Sequence, residues 1–140
     1  MLEDDPNPVA LTEHHAASNA RVLSGGRILF TASSLISPNN AFLLSGLDDP
    51  ATPLELKQIT HFGENELVNK NLDPGEEFWF TGAEKVQVHG FALKPKGWKE
   101  GKKKKYPAVF LIHGGPQGAW EDSWSTRWNP NGKFSVRNAV

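Results

Sequence analysis

The sequence predicts a β-rich first half followed by the opening strands of an α/β sheet. Three observations predict it. Before residue 70, short strand-like runs alternate with turn signals at intervals of about ten residues. After residue 75, two further runs flank a short connection, as in a β-hairpin. Then an uninterrupted apolar run, residues 108–112 (AVFLI), leads directly into His113, Gly114 and Gly115. That is the pattern of a strand covered on both faces that feeds a tight backbone loop.

The elements follow in order. Residues 27–33 (RILFTAS) come after the Gly25-Gly26 turn signal. Residues 41–45 (AFLLS) come after Pro38-Asn39-Asn40, and residues 54–60 (LELKQIT) after Asp48-Asp49-Pro50. This spacing suits a sandwich, a barrel or a propeller blade. The pattern has no second copy, so at most about one blade and its approach strand are expected. Residues 69–75 (NKNLDPG) are polar and turn-forming, and divide the chain into 1–70 and 71–140. Residues 77–81 (EFWFT) and 86–93 (VQVHGFAL) make the predicted hairpin across residues 82–85. Residues 94–105 hold seven lysines and join the hairpin to the third strand. With Trp98 as the one aromatic among them, they read as a solvated loop rather than a basic binding patch.

Composition narrows the function classes. The chain has 140 residues, 38% of them hydrophobic, and a formal charge of −1. It is long enough for one ordinary globular domain. Near-neutral charge gives no reason to expect a nucleic-acid partner. With no cysteine there is neither a disulfide framework nor a thiolate metal site. No apolar run approaches the roughly 20 residues that a membrane-spanning helix needs. The first 15 residues are acidic and Pro-rich, and do not read as a secretory leader.

The candidate chemistry lies in the Gly-rich loop. Adjacent glycines let the backbone turn sharply and leave its N–H groups uncovered. In an α/β-hydrolase a loop at this place supplies one donor of the oxyanion hole, the other coming from the residue after the nucleophile. Gly114 and Gly115 are the residues assigned to it, with His113 and Pro116 as its supports. On the two glycines alone an ordinary tight turn after a strand is the favoured reading. A G-x-S-x-G elbow is missing: none of the nine serines has glycine at both flanking positions. In that fold the order is Ser, then Asp, then His, all after the oxyanion loop. No catalytic serine, aspartate or histidine is therefore assigned to this chain.

Other candidates have plainer readings. His14 and His15 are adjacent, so in an extended segment they point in opposite directions, and no metal site is assigned. His89 reads as a packing or surface residue. Trp120, Trp124 and Trp128 recur every four residues, which predicts a core-facing stripe on a helix. Glu121 and Asp122 have only their charge to recommend them as binders of a substrate amine.

The run HGGPQGAW (113–120), with SWSTRWNP (123–130) just after it, closely resembles the secreted fungal dipeptidyl-peptidase group of the prolyl oligopeptidase family of serine peptidases. A bare HGG is shared with many lipases and esterases; the longer run is far more specific. The resemblance implies a β-propeller followed by an α/β-hydrolase domain. On it, residues 31–38, 40–47 and 57–60 fall in the last blade, so 1–70 is the C-terminal blade of the propeller. Residues 71–140 become the N-terminal part of the hydrolase, with 108–112 as its third strand. It further implies secretion, a peptide substrate, release of N-terminal dipeptides, and no cofactor. After Pro130 the family continues with an apolar helix and a buried strand, whereas residues 131–140 do not follow that pattern. The chain thus reads as truncated, and a noncatalytic fragment or interaction module is the alternative. A carboxylic-ester hydrolase with the same loop is a further alternative, which the propeller-like strands argue against.

Overall fold

The structure is a computed structural model and describes residues 9–13, 15–101, 103, 105–115 and 118–125. Two antiparallel sheets dominate it. The first is a four-stranded meander of β1 (Ala16–Leu23), β2 (Arg27–Ser34), β3 (Ser37–Ser45) and β4 (Glu55–Gln58), in that spatial order. The second is a hairpin of β5 (Glu76–Thr81) and β6 (Gln87–Ala92). Among the described residues the helical elements are one short helix, α1 (Glu64–Leu67), and a 3-10 turn at Ala83–Lys85.

Alternation explains the central pair. In β2 the side chains of Ile28, Phe30 and Ala32 share one face, because successive residues point to opposite sides. Phe30, Ala32 and Leu44 are buried there, with Ile28, Phe42 and Leu47 packed against them. Phe30 sits directly opposite Phe42 in the register, and their rings stack at 5.8 Å between centroids. Cross-strand aromatic pairs of this kind add about 0.5–1.5 kcal/mol beyond their buried area.

The turns follow local chemistry. Gly25 and Gly26 both adopt positive φ between β1 and β2. Gly26 is also the point of closest approach, since a Cβ there would stand 2.3 Å from the Asp48 nitrogen. Asp49 builds the turn before β4: its carboxylate accepts the Ala51 N–H at 2.9 Å and the Thr52 hydroxyl at 2.9 Å. β1 is not among the runs that the sequence singles out. It is exposed along most of its length, and its ladder is interrupted between Ser18 and Arg21. Asn19 takes a left-handed conformation at that break (φ 55) and donates to Thr31 Oγ1 at 3.0 Å.

Pro38-Asn39-Asn40 proves not to be a turn. The chain reverses at Leu35 and Ile36, and β3 already begins at Ser37. The register shift between Ala32 and Ser34 accommodates Pro38, which cannot donate to a ladder. Asn40 is instead the most buried polar residue described, 1% exposed. Its partners lie after β4: Oδ1 accepts from the Thr60 hydroxyl at 2.9 Å and from the Phe62 N–H at 2.7 Å.

The hairpin forms as the sequence predicts, with Glu76 opposite Ala92 and Thr81 opposite Gln87. His89 packs between aromatics, 4.6 Å from the Trp79 ring and 4.9 Å from Phe91. Its Nε2 lies 2.7 Å from Glu77 Oε1, without hydrogen-bond geometry. Lys94 pairs with Glu76 and lies over the Trp98 ring at 4.2 Å. Lys94 is therefore held, while the described lysines from 96 to 105 are solvent-exposed.

Residues 108–112 depart from expectation. They form no strand and join neither sheet. All five are exposed, and Phe110 is 89% so. An apolar run becomes a buried strand only when neighbours take up its backbone hydrogen bonds and cover its faces. Among the described residues the hairpin pairs only with itself and offers neither. The expected α/β sheet is correspondingly absent from the described residues. Among them, too, no helix is long and apolar enough to cross a membrane.

Candidate functional site

The Gly-rich loop stands out into solvent. His113, Gly114 and Gly115 are all exposed. Gly115 adopts φ 74, a left-handed conformation that β-branched side chains resist. A Cβ on either Gly114 or Gly115 would meet nothing within 4 Å, so the backbone there is open to a solute. The loop folds back on itself: a Cβ on Gly118 would stand 3.0 Å from the Gly114 carbonyl oxygen and 3.3 Å from His113 Nδ1. The Trp120 indole N–H then donates to the Leu111 carbonyl at 2.8 Å, which closes the loop at its base. Pro116 lies outside the described residues.

The segment after the loop is not helical. Residues 118–125 have no helical assignment, so Trp120 and Trp124 do not form the predicted stripe, and Trp128 lies outside the described residues. What holds this segment is the first sheet. Asp122 Oδ1 accepts the Leu35 N–H at 2.7 Å, and Asp122 Oδ2 lies 3.3 Å from His15 Nδ1. The Asp122 carbonyl accepts the Ala16 N–H at 3.0 Å, and the Trp124 N–H donates to Ser33 Oγ at 3.2 Å. Asp122 is thus a tether, a role that its sequence context does not signal. Its partners are 87 and 107 residues away for the side chain, beyond any local pattern. His14, the other half of the histidine pair, lies outside the described residues.

A separate recess of about 280 Å³ lies on the sheet. Phe30, Ala32, Phe42 and Leu56 supply apolar lining, with Thr12, Glu13, His15 and Ala17 beside them. None of residues 113–115 lines it. It has the character of a packing surface, apolar with few polar groups, rather than of a site with converging donors and acceptors.

Known proteins agree with the motif. The chain is 39% identical over 127 residues to Dipeptidyl-peptidase 5 of Schizosaccharomyces pombe, covering 87% of this chain and 16% of that protein. It is 36% identical over 132 residues to Dipeptidyl-peptidase 5 of Aspergillus fumigatus, covering 91% and 17%. Dipeptidyl-peptidase 5 of Trichophyton equinum is 35% identical over 129 residues, with coverage of 90% and 17%. No family model matches the chain, and no solved structure does. The chain belongs to the fungal dipeptidyl-peptidase 5 group of the prolyl oligopeptidase family of serine peptidases. It spans about one sixth of the length of the curated relatives it matches.

Proposed function

We propose that the chain is the junction segment of a secreted serine-type peptidase that releases dipeptides from peptide N-termini. Residues 1–70 then correspond to the last blade of a β-propeller, and residues 71–140 to the start of an α/β-hydrolase domain. Gly114 and Gly115 present a backbone N–H to the oxygen that becomes negatively charged in the tetrahedral intermediate. A preorganised donor of this kind is worth about 3 kcal/mol to the transition state. His113 and Pro116 shape the loop. The observation that carries the reading is the loop itself: HGGP-x-GAW, with Gly115 left-handed and nothing over the backbone of either glycine.

The 140 residues alone contain no G-x-S-x-G elbow, which favours a second reading for the polypeptide by itself: a piece without hydrolytic activity. Sequencing the transcript past the codon for Pro130 tests the peptidase reading. A frame that carries G-x-S-x-G, then Asp, then His is the expected result, and a transcript without them overturns it. A serine-directed fluorophosphonate tests the second reading. The isolated 140 residues should not label, and stoichiometric labelling of Ser123 or Ser125 would overturn that inactivity.

A further inference from the structure

We propose that Asp122 is a positioning residue that fixes the Gly-rich loop against the four-stranded sheet. The inference rests on the reading of Gly114 and Gly115 as the oxyanion loop, but the clasp itself is testable without activity. An oxyanion donor works only if it is held in place before the charge develops. Among the described residues, the loop's own contacts close it without tying it to the sheet. Trp120 bonds back to Leu111, nine residues away, and a Cβ on Gly114 or Gly115 would meet nothing within 4 Å. The anchor comes immediately afterwards. Asp122, seven residues beyond Gly115, uses both carboxylate oxygens and its carbonyl on the sheet side. Trp124 adds the bond to Ser33.

The geometry suits a firm joint. Leu35 is 6% exposed and sits at the reversal between β2 and β3. A hydrogen bond from an N–H to a carboxylate is stronger than a neutral one. His15 and Ala16 bring in the start of β1, so the residue ties together the first strand, the β2–β3 reversal and the loop segment. A change in the sheet would thereby reach the loop through a short covalent path.

The absence of cysteine makes a direct test simple. Spin labels on introduced cysteines at Arg21 and Ala119, both exposed, report the distance from sheet to loop segment in the full 140-residue chain. A narrow distance distribution is expected. Asp122→Ala should broaden it and raise hydrogen exchange at the Leu35 amide by about tenfold or more. Asp122→Asn keeps an oxygen that accepts the Leu35 N–H, so the distribution should stay narrow. Protection of the Phe30 and Phe42 amides shows whether the sheet itself survives. If Asp122→Ala unfolds the sheet, Asp122→Asn decides: a narrow distribution supports the clasp and a broad one overturns it. An unchanged distribution in a folded Asp122→Ala chain also overturns it. Fluorophosphonate labelling plays no part in these readouts, so failure of the peptidase reading would be seen separately.

Discussion

Asn40 and Phe62 grip each other across 22 residues: the Phe62 N–H donates to Asn40 Oδ1 at 2.7 Å, and Asn40 Nδ2 donates to the Phe62 carbonyl at 3.4 Å. The same oxygen takes the Thr60 hydroxyl. The pair locks the segment after β4 onto β3. Asn40→Ala would remove the partner of three hydrogen bonds, each worth about 0.5–1.5 kcal/mol. A loss of about 2–4 kcal/mol in denaturant unfolding is expected. A loss below about 0.5 kcal/mol, typical of surface changes, would mean that water replaces the amide without penalty.

Gly26 and Gly25 should respond differently to the same change. Both have positive φ, so alanine strains either one by about 1 kcal/mol. At Gly26 the added methyl also collides with the Asp48 backbone, whereas at Gly25 the nearest atom is 4.0 Å away. Thermal melts should therefore rank Gly26→Ala well below Gly25→Ala. Equal melting temperatures would show that the β3–β4 connection moves aside freely.

The Asp49 turn gives a pH dependence with a definite sign. The Ala51 N–H, then the Thr52 hydroxyl, favour the charged carboxylate and lower its pKa from 3.8. Its contribution is therefore full above the ordinary aspartate range and fades as pH falls through the lower folded value. Carbon-detected titration of the Asp49 carboxyl should give a midpoint below 3.8. A midpoint at or above that value would mean that the turn does not hold the carboxylate in solution.

Phe110 and Ile112 are 89% and 88% exposed within an apolar run that joins neither sheet. Exposed apolar segments of that kind promote association. The 140-residue chain should sediment as assemblies whose size falls with dilution. Replacing both residues with serine should shift it toward the monomer, and unchanged assemblies would place the contact elsewhere.

What the sequence made legible was local. Gly25-Gly26 and Asp49-Pro50 mark turns because their chemistry acts within a few residues. The β2 alternation is legible because period two is set by the backbone itself. The burial of Asn40 is not legible, because a Pro-Asn-Asn string suits a turn and nothing nearby reveals that Thr60 and Phe62 satisfy its amide. The tether at Asp122 is hidden for the same reason, its side-chain partners being 87 and 107 residues away. The run 108–112 shows the opposite failure. Its letters state a need for burial, which is not evidence that a partner strand lies within reach. The tryptophan spacing was consistent with a helix but did not require one, and the bonds to Leu111 and Ser33 take precedence over it.

The break in β1 at Asn19 bears on how this sheet meets other chains. An incoming strand needs an unbroken row of donors and acceptors to zip along a rim. On one rim the row is interrupted between Ser18 and Arg21, and Arg21 adds a charge that a docking strand would have to desolvate. On the opposite rim β4 spans only Glu55–Gln58, too short for more than a brief grip. The meander thus discourages edge-to-edge growth at both of its rims, and its own margins disfavour polymerisation of this sheet into a continuous ribbon.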